Sequence, residues 1–161
     1  MATRSGPHIK KDEWGFTLIE LIAVMALLAM ALAVALPALD RAWQHYALKA
    51  DAQSLATLIR YSRQEAISAG QSQSVLFYTN NNSYRILGQE RHFLNKGIRY
   101  VGNTTFSTRV IDVPACTFLP DGTPRAGGTV TLQNTYNVRH YVIVNPVAGR
   151  VRVSEAPPES W

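Results

Sequence analysis

The side chains that most often carry out chemistry are few in this sequence and stand far apart. It has one cysteine, Cys116, and four histidines, His8, His45, His92 and His140. None of the histidines stands at the spacing of a known zinc motif, and a lone cysteine forms no disulfide within the chain. The sequence also has no phosphate-binding loop, no dinucleotide-binding glycine motif and no nucleophile elbow. We therefore predict no catalytic residue, no metal and no cofactor, and an exported enzyme finds no support among these residues.

The carboxylate of Glu20 lies in an apolar stretch, where a charge is energetically unfavourable. Glu20 is the only charged residue in the apolar stretch 16–39, which is otherwise interrupted only by Thr17 and Pro37. A helix over this stretch measures about 36 Å, enough to cross a hydrocarbon core of about 30 Å. An unpaired carboxylate near the end of such a span costs on the order of 2 to 3 kcal/mol. The stretch is therefore predicted to span a membrane, and Glu20 requires an explanation.

Three interpretations of this stretch compete. A secretory signal peptide cleaved near Ala33-Val34-Ala35 would release a soluble domain. A plain membrane anchor would leave Glu20 without a role, or would place it among solvated lipid headgroups. Neither of these interpretations needs a carboxylate at this position.

The third interpretation rests on the string GFTLIE, which runs from Gly15 to Glu20 and is followed by four apolar residues. This string resembles the signal of type IV prepilins and type II secretion pseudopilins. The resemblance implies that residues 1–15 are a leader, that a prepilin peptidase cuts between Gly15 and Phe16, and that the new N-terminus of Phe16 is methylated. It also implies that Glu20 pairs with the amine of Phe16 on a neighbouring subunit, which neutralises both charges and sets the filament register.

Two further positions bear on this resemblance. Pro37 falls where pilins often have a helix-kinking proline, and Trp14 departs from the Lys or Arg that commonly precedes the glycine.

The resemblance implies a single-pass protein of the inner membrane with its C-terminal domain on the periplasmic side, which enters a filament after assembly. Its implied partners are other pseudopilins or pilins, the prepilin peptidase, an inner-membrane assembly platform and membrane lipid. The basic residues ahead of the span favour a cytoplasmic N-terminus before cleavage.

Residues 40–69 continue the helix as an amphipathic segment. No proline or glycine interrupts them, and apolar or small residues recur at spacings of three and four. The members of this stripe are Leu48, Ala52, Leu55, Ile59, Ser62 and Ala66. Gly70 is typical of a helix end. We expect the stripe to pack on the rest of the domain, and a helix that only covers a surface is the alternative.

Residues 70–153 are predicted to form an exported β-rich domain. Residues 74–78 and 84–87 flank the turn 80–83 and indicate a hairpin. Further strands are expected at 98–101, 109–113, 116–119, 129–132, 141–144 and 150–153, separated by turns that contain proline or glycine. The predicted fold class is α+β, with a long N-terminal helix on small antiparallel sheets. The polar tail 154–161 is predicted to be poorly ordered, and Cys116 to be a buried small hydrophobe.

The C-terminal half carries a second resemblance. The strings 118–122, 129–132, 141–144 and 149–153 are similar to those of the GspH/FimT family of minor pilins and pseudopilins. Membership would imply a long helix, a domain of two small sheets, and a position at or near the tip of a short filament.

The C-terminal half of the chain is also rich in basic residues. Nine basic residues and three acidic ones lie between Arg85 and Arg152, a composition that attracts polyanions. The string Gly149-Arg150-Val151-Arg152 resembles one that contacts DNA in FimT-like proteins of natural transformation, which implies DNA as a partner of Arg150 and Arg152. The alternative is a hairpin whose two arginines are simply solvated.

Two functions follow from these observations. The first is a minor subunit that co-assembles at or near the tip of a type II secretion pseudopilus or a type IV pilus. The second is a DNA-binding minor pilin that acts in DNA uptake.

Overall fold

The computed structural model describes residue 15 and residues 17–158. A long α-helix, α1, covers Leu18–Ala69, and a short 3-10 helix covers Thr79–Asn81. The chain divides into two compact units, Met1–Leu39 and Asp40–Trp161. Apart from Gly15, the predicted leader lies outside the described residues.

Residues 40–158 of the second unit contain nine antiparallel strands in two sheets. The first sheet has the order β3-β2-β1-β6-β5, and the second has the order β4-β7-β8-β9. The strands are β1 (Gln73–Tyr78), β2 (Ser83–Ile86), β3 (His92–Phe93), β4 (Arg99–Tyr100), β5 (Arg109–Val110), β6 (Val113–Phe118), β7 (Gly128–Gln133), β8 (Arg139–Val144) and β9 (Val151–Ser154). The predicted α+β class is confirmed.

The C-terminal half of α1 supplies one wall of the core. All six residues of the predicted stripe are fully buried. Five of them, all except Ser62, join side chains of both sheets, such as Phe77, Phe118 and Val130, in one apolar cluster. The helix ends where predicted, since Gly70 adopts the left-handed conformation with φ +62°. The stripe therefore packs on the domain and does not merely cover its surface.

One polar contact to this half of the helix was not foreseen. Asp51 is buried, and its carboxylate accepts hydrogen bonds from the backbone N–H of Asn95 (2.8 Å) and from its side-chain amide (2.7 Å). Burial raises the pKa of the Asp51 carboxyl, and the two bonds from Asn95 oppose that rise. The contact ties the loop before β4 to α1.

The prediction of one continuous strand over residues 109–113 is wrong. Ile111 and Asp112 form a two-residue turn with positive φ (51° and 59°), so β5 and β6 pair as a tight hairpin. Ile111 is β-branched and occupies the first turn position, where glycine, asparagine or aspartate is favoured, so no turn was predicted here. Arg109 stabilises the turn, because its Nη2 donates to the Asp112 carbonyl (3.1 Å) and its Nε lies 3.4 Å from the Asp112 carboxylate.

The other strands lie close to their predicted places. The predicted hairpin forms between β1 and β2, while the two-residue strand β3 was not predicted. At the C-terminal end, Ser154 belongs to β9 and opposes Tyr141, so the tail begins after it. That the tail is poorly ordered stays a prediction, since residues 159–161 lie outside the described part of the chain.

Cys116 lies in the core as predicted, and its chemistry yields a test. It has no exposed surface, and burial raises the pKa of its thiol from 9.0 to about 12. We expect the folded full chain in detergent to resist alkylation by iodoacetamide at pH 8, and the denatured chain to react completely, as measured by intact mass. Because the folded state keeps a proton that the unfolded thiol loses near pH 9, this thiol should lower the free energy of unfolding as pH rises above that value. Rapid native alkylation would contradict the burial.

The buried stripe yields a second test. Leu55→Ala removes a fully buried side chain from the helix and sheet interface and should lower the free energy of unfolding by about 2 to 5 kcal/mol. The alkylation rate of Cys116 in the full chain should rise accordingly. The matched control is Gln53→Ala, which changes an exposed position on the same helix. Equal rates in the two variants would show that the stripe contributes little to the core.

Candidate assembly segment and basic surface

The N-terminal segment starts α1 with a defined cap. Thr17 precedes the helix, and its Oγ1 accepts a hydrogen bond from the backbone N–H of Glu20 at 3.3 Å. A Thr followed three residues later by a Glu is the sequence pattern of a capping box. Gly15 lies exposed outside the helix. Phe16, the predicted mature N-terminus and methylation site, lies outside the described residues.

Glu20 occupies the first turn of α1, where the helix dipole favours a negative charge. Its apolar neighbours are exposed over more than half of their surface, including Leu18 (75%), Ile19 (76%) and Leu21 (58%). Within the described residues its carboxylate takes part in no ion pair. The carboxylate therefore lies on an apolar surface that nothing in its own unit covers.

The residues of α1 that follow Glu20 in the first unit are also apolar and exposed. An apolar window of α1 near the N-terminus has a mean hydropathy of 2.6 and is not buried, so by length and composition the helix is able to cross a membrane. Pro37 lies inside α1. Because proline has no N–H, the carbonyl of Ala33 loses its usual helical hydrogen bond there. The kink predicted at Pro37 stays a prediction.

Arg150 and Arg152 share one face of the domain. Arg150 immediately precedes β9, Arg152 lies within it opposite Ile143, and both side chains are exposed. Both line a recess of about 260 Å³ together with Ile143 and Asn145. The structure thus brings the two predicted arginines together.

Two further arginines approach this face from α1, and sequence reasoning missed their role. Arg60 Nη2 donates to the Val151 carbonyl at 3.0 Å, and Arg63 Nε donates to the Gly122 carbonyl at 2.8 Å. Their spacing of three residues, next to the buried stripe, would have predicted that both arginines lie on one face of the helix.

His140 is buried in the domain, whereas His45 and His92 are exposed. His140 is 2% exposed, and its ring lies edge-on to that of His45 at 6.0 Å between centroids. Burial lowers the pKa of His140, and Glu155, whose carboxylate lies 3.8 Å from its Nε2, acts in the opposite direction. Among the residues that the structure describes, no three His, Cys, Asp or Glu side chains are arranged to hold a metal ion.

The turn before Arg150 yields a matched pair of variants. Gly149 has φ +62°, and a Cβ there would lie 3.2 Å from both the Gly122 carbonyl oxygen and Pro124 Cδ. Gly102 has a similar φ of +65° with nothing within 4 Å. Either substitution by alanine should cost about 1 to 2 kcal/mol for the left-handed backbone, and Gly149→Ala should cost more because of its contacts. Thermal unfolding of the full chain in detergent measures the difference, and equal losses would contradict the close packing of the two turns.

Comparisons with known proteins agree on one family. Residues 51–149 match the family model described as type II transport protein GspH. A curated relative, type II secretion system protein H of Xanthomonas campestris pv. campestris, is 28% identical over 92% of this chain and 88% of its own length.

Solved structures share the fold. The minor pseudopilin EpsH of the Vibrio cholerae type 2 secretion system superposes with a TM-score of 0.55 at 15% identity, over 66% of this chain and 95% of that one. The type IV minor pilin FimU of Pseudomonas aeruginosa gives 0.52 at 18% identity, over 66% of this chain and 87% of its own.

Proposed function

Because the chain belongs to the GspH family of type II transport proteins, we propose that it is a minor subunit that co-assembles at or near the tip of a secretion pseudopilus or a type IV pilus. Membership of this family implies contact with other pilin-like subunits in a filament. The observation that carries the proposal is the isolated carboxylate of Glu20 on an exposed apolar helix, five residues after Gly15.

The proposed mechanism begins with cleavage. Prepilin peptidase removes residues 1–15 and methylates Phe16, which leaves a positively charged amine at the start of the mature chain. In the filament this amine pairs with Glu20 of a neighbouring subunit. Two charges that are costly in an apolar environment then neutralise each other, and a mismatched register would leave both unpaired.

Before assembly, the same apolar surface holds the protein in the membrane. Residues 16–39 span the inner membrane in contact with lipid, and the domain from residue 40 onward lies on the periplasmic side. Extraction by the inner-membrane assembly platform exchanges lipid contacts for contacts with other subunits. Pro37 lies close to the boundary between the two units and gives the helix a place to bend.

DNA uptake through Arg150 and Arg152 stays a prediction. The relatives named above are a secretion subunit, a pseudopilin and a pilin, so their names support the filament role and not the DNA-uptake alternative.

Cleavage is the first step to test. The full chain should be expressed with and without a prepilin peptidase, extracted from membranes, and analysed by intact mass and N-terminal peptide sequencing. We expect a chain that begins at methylated Phe16 only when the peptidase is present. A chain that begins near Leu36 in both cases would instead indicate a conventional signal peptide and would exclude the filament role.

Glu20→Gln tests the pairing step. It should leave cleavage intact, because the Gly15-Phe16 bond is unchanged, but should reduce crosslinking to other pseudopilins in whole cells at least tenfold. Met25→Gln is the control, since it places the same amide on an exposed position of the same helix without removing a charge. Equal crosslinking in the two variants would refute a role for the carboxylate in register.

A further inference from the structure

We propose that a recess between α1 and the turn before β9 binds carboxylate side chains of an acidic segment on another filament subunit. We call it the arginine recess; it has a volume of about 480 Å³ and is lined by Arg60, Arg63, Gln64, Ile67, Gly149 and Arg150, among others. That the partner is a filament subunit rests on the function proposed above. The recess itself rests on separate observations.

The first observation is that three arginines, and no Asp or Glu, line the recess. Among the residues that the structure describes, none of Arg60, Arg63 and Arg150 forms an ion pair with a carboxylate. Like charges brought together in a recess repel one another unless an anion joins them. The recess therefore has a net positive charge that a bound anion would neutralise.

The second observation is that two of these side chains are held in place by backbone carbonyls. Arg60 uses one N–H for the Val151 carbonyl, and Arg63 uses one for the Gly122 carbonyl. A guanidinium has five N–H donors, so each of the two keeps further donors for a ligand. Because these contacts already restrict the side chains, binding an anion costs less conformational entropy than it would at freely moving surface arginines.

The third observation is that the backbone at Gly122 and Gly149 lies close to Arg63. A Cβ on either Gly122 or Gly149 would lie 3.4 Å from Arg63 Nε, and both glycines have positive φ. The turns that contain Gly122 and Gly149 therefore meet at this guanidinium. The recess is a built feature of the fold and not a chance grouping of surface charges.

The shape of the recess favours a protein carboxylate. A Glu or Asp side chain projects from its backbone and reaches into a recess, whereas a duplex presents its phosphates on a convex surface. Ile67, which is 43% exposed, and Val151 supply apolar walls for the methylene groups of such a side chain. The planar guanidinium matches a carboxylate through two parallel hydrogen bonds.

Charge also selects the partner. This chain has a formal net charge of +5, so a second copy would bring further positive charge to the recess. An acidic segment of a different subunit complements it. Arginine is enriched among the residues that contribute most to protein interfaces, which agrees with this assignment.

The test uses the full chain in detergent micelles and fluorescein-labelled octaglutamate, with octaglutamine as the neutral probe. We expect fluorescence anisotropy to show octaglutamate binding that weakens at high salt and at least tenfold in the variant Arg60→Gln/Arg63→Gln. The matched control is Arg99→Gln/Arg125→Gln, which removes two exposed positive charges elsewhere and should change binding less than threefold. Arg150→Gln is a second variant of the recess, and it breaks no hydrogen bond to α1. Protection of Cys116 from alkylation shows that each variant is folded.

Three outcomes would overturn the proposal. The first is that octaglutamate does not bind. The second is that its binding weakens equally in the recess and control variants, which would indicate attraction by net charge alone. The third is that a 20-base-pair duplex binds more tightly than octaglutamate and depends on Arg60 and Arg63, which would assign the recess to nucleic acid. Because this assay needs neither cleavage nor assembly, its failure is distinguishable from failure of the proposed filament role, which is measured by processing and crosslinking.

Discussion

The domain depends on the packing of one helical stripe against two small sheets. Fewer than one hundred residues follow Gly70, and a segment of that size has little apolar surface to bury by itself. Leu48, Leu55 and Ile59 contribute fully buried side chains from the helix and join the two sheets through a shared core. The strands on their own are short, several of them only two residues long. The second half of α1 is thus part of the domain core and not a stalk beneath it.

This dependence on packing is greater because no covalent crosslink supports the domain. Its lone thiol, Cys116, is buried in the core, and burial disfavours the thiolate that disulfide exchange requires. Asp51 adds a polar contact at the edge of the same core, since it holds the loop before β4 against the helix through two hydrogen bonds to Asn95. Together these contacts fix α1 relative to the sheets, and so they also fix the arginines that α1 carries toward β9.

The sequence predicted those parts of the fold that depend on local patterns. The three-and-four spacing of the stripe identified the buried helix face, and Gly70 identified its end, because both follow from helix geometry alone. The turn at Ile111 and Asp112 was missed, since a β-branched residue such as Ile111 rarely adopts positive φ and therefore gives no turn signal. The contact of Asp51 with Asn95 was missed because the two residues are 44 positions apart and neither shows its partner in the local sequence.

The same distinction holds for the candidate sites. Gly15, Phe16 and Glu20 form a contiguous motif, so the sequence alone was enough to single them out. Arg150 and Arg152 were also singled out, and their common face follows from the alternation of side chains along an extended strand. Arg60 and Arg63 were not connected with them, because only the folded topology brings the C-terminal end of α1 to the start of β9.

The hydrogen bond between Arg60 and Val151 has a consequence for the order in which the domain forms. It joins residues 91 positions apart, and β9 is the last of the nine strands in the described part of the chain. Pairings of such long range form slowly, because a long loop must close before any contact compensates for the lost chain entropy. The helix and the first hairpin are therefore synthesised well before the core is able to close. During that interval the chain remains open to proteases, and this condition ends only when β9 has paired and the core has closed.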